Sequence, residues 1–191
     1  MSKKTLVIEG YCERYVNLAK QFFNAENIKD IEKCIKILKN TNGSGSVIYF
    51  IGNGGSAAIA EHAAIDLTKN AGLKALAVSG SPMLTTFSND YGYENVFKKA
   101  IEAFGKKGDI LIAISSSGKS KNIINASKIA KKKGMQIITL SGFEAGNPLK
   151  KMGDINFWVN SKAFGFVEIL HGFILHCIND SIIGSEIYMI R

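Results

Sequence analysis

The chain has 191 residues, 46% of them hydrophobic and 21% charged, which is enough for one globular domain with a proper core. Lys and Arg number 24 against 16 Asp and Glu, a formal charge of +8 that suits nucleic acid or small anionic ligands. The placement of the cations argues against nucleic acid: Lys131-Lys132-Lys133 closes a helix before Gly134, and Lys98-Lys99, Lys106-Lys107 and Lys150-Lys151 are dispersed pairs without interleaved aromatics. The N-terminus, Met1-Ser2-Lys3-Lys4-Thr5, leads into a helical pattern rather than the apolar stretch of a secretory signal. Cys12, Cys34 and Cys177 have neither metal-knuckle nor C-x-x-C spacing, so reduced thiols in a cytoplasmic protein are expected.

Two helices are expected first, about Leu6–Asn24 and Ile28–Asn40. The second carries Ile28, Ile31, Cys34, Ile35 and Leu38 at the rhythm of one buried face. Asn42-Gly43-Ser44-Gly45 marks a turn. Short apolar strands then alternate with helices: strand Val47–Ile51, helix Ala57–Thr68, strand Ala75–Val78, a short helix near Met83–Ser88 and helix Glu94–Phe104. Strand Ile110–Ile114, helix Asn122–Lys133 and strands Gln136–Leu140 and Ile155–Val159 continue the pattern. Near-continuous Val/Ile/Leu strands between helices are covered on both faces, which predicts an α/β, doubly wound, mainly five-stranded parallel sheet. The chain reads as a single domain: residues 1–42 form the N-terminal helices, 43–160 the α/β core and 161–191 the C-terminal helix.

That last helix, Ala163 to about Ile190, is apolar nearly all round, yet Glu168, His171, His176, Asn179 and Asp180 interrupt it, so a membrane span is not expected. A helix apolar on every side needs cover on every side. This predicts an oligomer, with the helix at its interfaces.

Two loops carry the clearest chemistry. Gly52-Asn53-Gly54-Gly55-Ser56 follows the first strand, and Ser115-Ser116-Ser117-Gly118-Lys119-Ser120 follows the third. Both open helices, whose free N–H groups and positive dipole ends favour an anion, and ligands of such sheets bind beyond the strands' carboxyl ends. The second loop falls short of a Walker A motif, because Ala113 stands where that motif requires Gly. Its hydroxyls, on Ser115, Ser116, Ser117 and Ser120, instead match the oxygens of a phosphate monoester. The plainer alternative is a helix N-cap with spare serines. His62 and Asp66, at i and i+4, share a helix face, where a simple surface pair is the competing reading. His171 and His176 lie about 140° apart around their helix and should not serve one site; Glu168 and His176 lie about 12 Å apart along it. One metal shared by Glu168 and His176 therefore needs a bend or a second subunit.

Gly52–Ser56, the helix Ala60-Glu61-His62-Ala63-Ala64-Ile65-Asp66-Leu67-Thr68, Ser88-Asn89-Asp90-Tyr91-Gly92, Ser115–Ser120 and Glu168–His176 stand in the order seen in sugar isomerase (SIS) domains. Over nearly its whole length the sequence resembles the phosphoheptose isomerase branch of that family. The resemblance implies a flavodoxin-like SIS fold and conversion of sedoheptulose 7-phosphate to D-glycero-D-manno-heptose 7-phosphate, for the heptose of bacterial lipopolysaccharide or capsule. It implies phosphate contacts from Ser115, Ser116, Ser117 and Ser120, and sugar contacts from Asn53, Gly54, Ser56, Asn89, Asp90 and Glu168. Catalysis falls on Asp66 and His176, and one zinc ion, as in some members, on His62, Asp66, Glu168 and His176, with no nucleotide cofactor. It also implies a cytoplasmic homotetramer with sites shared between subunits.

Three positions depart from the family: Asp66 where Glu is usual, Glu168 where Gln is common, and Thr68-Lys69-Asn70 where Thr-Gly-Arg is usual. A base shortened by one methylene and a lost guanidinium predict a shifted substrate preference. The alternative class is a sugar-phosphate sensor or scaffold without chemistry, a role that other SIS domains take.

Overall fold

A computed structural model describes residues 3–188. The chain opens with α1 (Lys3–Phe22) and α2 (Ala25–Lys39). The break between them is set by Asn24, whose side-chain oxygen accepts from the backbone N–H groups of Glu26 and Asn27. As the spacing predicts, α2 buries Ile31, Cys34 and Leu38. Burial pushes the Cys34 thiol up to about 12, which leaves it inert.

The core follows as β1 (Ile48–Ile51), α3 (Gly55–Lys69), β2 (Ala75–Ala77), α4 (Ser81–Tyr91), α5 (Val96–Phe104), β3 (Ile110–Ser115), α6 (Lys121–Lys132), β4 (Gln136–Ser141), β5 (Ile155–Trp158) and α7 (Phe164–Ile183). The five strands are parallel throughout, in the order β2-β1-β3-β4-β5, with Ile48 in register with Ala75 and Ile110, and Ile110 with Gln136. Alternation along the strands divides the core in two. Ile48, Phe50, Ile110, Ile112 and Ile114 meet α2, α3 and α7 on one face, while Tyr49, Ile51, Leu111 and Ala113 meet α5 and α6 on the other. The doubly wound sheet expected from the sequence is therefore present.

Sequence and structure differ at element ends. The short helix near Met83–Ser88 is the longer α4, with Pro82 in its first turn, and the expected helix from Glu94 begins as a 3-10 turn over Tyr93–Asn95. The C-terminal helix stops at Ile183 because Gly184 takes a left-handed cap at φ 85°. Its expected end at Ile190 lies outside the described residues.

By length and composition α7 is apolar enough to cross a membrane, the one such helix among the described residues. It is packed as a core helix, however, with Val167, Leu170, Ile174, Leu175 and Ile178 buried against the sheet and neighbouring helices. Its other side leaves Ile169 and Phe173 exposed, beside Tyr15 and Val16 of α1, which itself exposes Val7, Ile8 and Tyr11.

Candidate active site

Strand order reverses between β1 and β3, so the chain leaves their carboxyl ends in opposite directions and opens a crevice there. The two glycine- and serine-rich loops meet at this point. A cavity of about 100 Å³ is lined by Asn53, Ser56, Ser115, Ser116, Ser117, Ser120, Phe164 and Glu168. Its volume suits a compact headgroup, about three times the ~30 Å³ share of one liquid water.

The serines do not behave as helix caps. The Ser120 side chain makes no cap bond to α6; its hydroxyl lies 3.1 Å from that of Ser115. The Ser117 hydroxyl accepts from the Lys119 N–H at 3.2 Å. The buried Ser116 hydroxyl has no partner among the described residues, a cost that a bound oxygen would relieve. Two loop carbonyls are already engaged on the far side, Ser116 by Gly142 N–H at 2.9 Å and Gly118 by Leu149 N–H at 3.1 Å. Gly118 is required here: its φ is +63° and a Cβ would sit 2.0 Å from the side-chain oxygen of Asn147. Asn147 is buried and ties Ser141, Gly142, Glu144 and Lys150 together, which buttresses the serine loop from behind.

A second cluster lies between α3 and α7. His62 Nε2 and His176 Nδ1 both face one oxygen of Asp66, at 3.4 and 3.7 Å, and the two imidazoles stack edge to face with centroids 4.9 Å apart. These are close approaches rather than good hydrogen bonds. The other Asp66 oxygen accepts from Asn70 Nδ2 at 3.3 Å. A shallow cavity of about 40 Å³, lined by His62, Asp66, Gly172, His176 and Asn179, opens on the cluster.

His62, Asp66 and His176 bring three ligand atoms within 4.8 Å of one another, a set that could hold a metal ion. The donor types fit zinc, and the 3.4 and 3.7 Å separations approach the ~3.3 Å edge of a tetrahedron with bonds of about 2.0–2.1 Å. Glu168 is not in the set. It stands two helical turns before His176 on unbroken α7 and lines the serine cavity instead, so one chain does not assemble the expected four ligands. Its carboxylate packs against Gly55 so closely that a Cβ there would lie 2.6 Å from Oε2.

Asn89 and Asp90 are exposed near the end of α4, bonded to each other at 2.9 Å, and line neither cavity. Gly54 caps the start of α3 and is exposed, while Ser56 is buried in the cavity wall. His171 is fully buried, with Nε2 donating to the Ser141 carbonyl at 3.2 Å and Nδ1 without a partner among the described residues. Burial lowers its pKa to about 4 and keeps the ring neutral, separate from His176 as the helix geometry predicts. The sequence marked Asn70 only as a departure from the family and Asn179 only as a polar break in the last helix, and it gave Tyr93, Asn122 and Asn147 no role. Asn70 alone had a local signal, its i+4 spacing from Asp66.

A doubly wound parallel sheet in this order takes its ligand at the switch point between β1 and β3, where the serine-lined crevice lies. The family model described as "SIS domain" matches residues 10–142, and the chain belongs to that family. The similarity then narrows. The chain is 36% identical over 181 residues to the phosphoheptose isomerase of Aliarcobacter butzleri, covering 92% of this chain and 94% of that protein. It is 40% identical over 147 residues to the phosphoheptose isomerase of Sodalis glossinidius, covering 74% of each. The solved phosphoheptose isomerase from Francisella tularensis superposes with a TM-score of 0.87 at 30% identity, over 97% of this chain and all of that one.

Proposed function

We propose that this chain is an aldose–ketose isomerase that interconverts sedoheptulose 7-phosphate and D-glycero-D-manno-heptose 7-phosphate through an enediol. Its product would supply the heptose of lipopolysaccharide or capsule, made in the cytoplasm. Similarity to phosphoheptose isomerases across most of the chain supports the substrate. The observation that carries the chemistry is that the serine cavity and the His62–Asp66–His176 cluster flank the same helix, two turns apart.

The serine loop holds the phosphate, and that binding energy orients the reacting end about 12 Å further along α7. Asn53, Gly54, Ser56 and Glu168 contact the chain of hydroxyls between, and Asn89 and Asp90 reach the sugar from an assembled neighbour. Asp66 takes the proton from C1 of the ketose, and its electron pair forms the C1–C2 double bond. His176 delivers a proton to O2 and removes one from O1. The first proton then returns to C2, which leaves the aldose. Asn70 orients the Asp66 carboxylate. Zinc held by His62, Asp66 and His176, with Glu168 of a second copy completing the set, would supply polarisation of the two oxygens.

The working form is a homotetramer. An apolar groove of about 210 Å³ between α1 and α7, lined by Tyr15, Val16, Phe166, Ile169 and Phe173, supports burial of that face against further copies. The deciding experiment follows deuterium from solvent into sedoheptulose 7-phosphate. An isomerase incorporates the label; tight binding without incorporation would make the chain a sensor. Metal analysis of protein purified without added metal tests the zinc reading: about one ion per chain is expected, lost in His62→Ala.

A further inference from the structure

Asn53 lines the serine cavity, and its amide is oriented by Asn122 and Tyr93, neither of which lines that cavity. Asn122, 3% exposed in the first turn of α6, accepts the backbone N–H of Ile123 on its side-chain oxygen at 2.9 Å. A backbone N–H can only donate, so this bond fixes which end of the Asn122 amide is oxygen. The Asn122 nitrogen must then face Asn53, and it donates to Asn53 Oδ1 at 2.9 Å. Asn53 Nδ2 returns a bond to Asn122 Oδ1 at 3.0 Å. The Tyr93 hydroxyl donates to the same Asn53 oxygen at 2.7 Å.

The count is then complete. An amide oxygen has two lone pairs and an amide nitrogen two hydrogens. Both acceptor sites of Asn53 are filled, by Asn122 and Tyr93, and one of its two donors is used. What remains for the cavity is a single N–H. We propose that Asn122, with Tyr93, is a positioning residue that locks Asn53 as a donor toward the substrate. A site prepared this way accepts a phosphate or hydroxyl oxygen and rejects a group that must donate.

This inference rests on the sugar-phosphate reading of the site, and the test separates the two. Sedoheptulose 7-phosphate is titrated by calorimetry, and turned over, with wild type, Asn53→Ala, Asn122→Ala and the double variant. Asn122→Ala is expected to weaken binding about tenfold and raise KM in proportion, with kcat within about twofold. In the Asn53→Ala background the same change is expected to have no further effect, because Asn122 acts only through Asn53. Tyr93→Phe removes one hydroxyl from an exposed side chain, and a loss of about threefold that vanishes in Asn53→Ala is expected from a variant certain to fold. Losses that multiply in the double variants would overturn the positioning role alone. Wild-type protein that does not bind the sugar phosphate would overturn the substrate reading, and this role with it.

Discussion

The serine cavity and the His62–Asp66–His176 cluster flank one helix, yet they are built differently. Ser115 and Ser116 are each 5% exposed, and their loop is tied from behind by Asn147, Gly142 and Leu149. The cluster is open: the side chains of His62 and His176 are 61% and 48% exposed, and exposed Ile65, Ile169 and Phe173 lie on the same two helices. One chain thus encloses the serine loop by itself and leaves the His62–Asp66–His176 cluster uncovered. Proton transfer gains from excluded water and fixed distances. On the proposed reading, the His62–Asp66–His176 cluster is therefore where a neighbouring copy would have most to add.

The contrast can be broken by uncoupling the two ends. Asp66→Asn should lower kcat by about 1,000-fold while the Kd for sedoheptulose 7-phosphate moves less than about threefold. Calorimetry beside turnover reads both, and an equal loss in binding would show that the ends are not separable.

Acid tests the frame beneath both sites. His171 is held neutral when folded, with a pKa of about 4, against 6.5 for the exposed ring of the unfolded chain. As pH falls from about 6.5 to about 4, the unfolded chain gains a proton that the fold refuses. Stability should therefore be intact above about 6.5 and decline on acidification, by up to about 3 kcal/mol. Urea unfolding at pH 7 and pH 4.5 measures this, and His171→Asn should flatten the dependence.

Charging the apolar face sharpens the comparison. Ile169→Asp with Phe173→Asp should yield monomers by sedimentation and a loss in kcat of roughly 100-fold, with phosphate binding retained. The smallest effect falls on the closed end. Ser116→Ala should weaken inorganic phosphate binding by about tenfold and leave kcat within about twofold.

Much of the fold was legible because the chemistry was local. Uniform Val/Ile/Leu strands can only be buried on both faces, and Asn24 announces the start of α2 to its own neighbours. The ends were less legible: nothing before Gly184 in the apolar run says that the helix stops there, because the stop depends on a backbone angle. The serine loop stood out by composition. Pairing Asp66 with His176 needed a family resemblance, since two helices far apart in the chain bring them together. Asn53 was legible within its glycine loop, but its links to Tyr93 and Asn122, 40 and 69 residues away, left no sequence trace, because they have meaning only in their mutual hydrogen bonds.

The absent side chain at Gly55 has a practical consequence. With only a hydrogen there, the first turn of α3 rests directly on the carboxylate of Glu168, one close point of contact between the helices that bear Asp66 and His176. Gly55→Ala alone would put a methyl group where that carboxylate lies, so the flexible Glu168 side chain would swing aside and reshape the wall of the serine cavity while Asp66 and His176 keep their places.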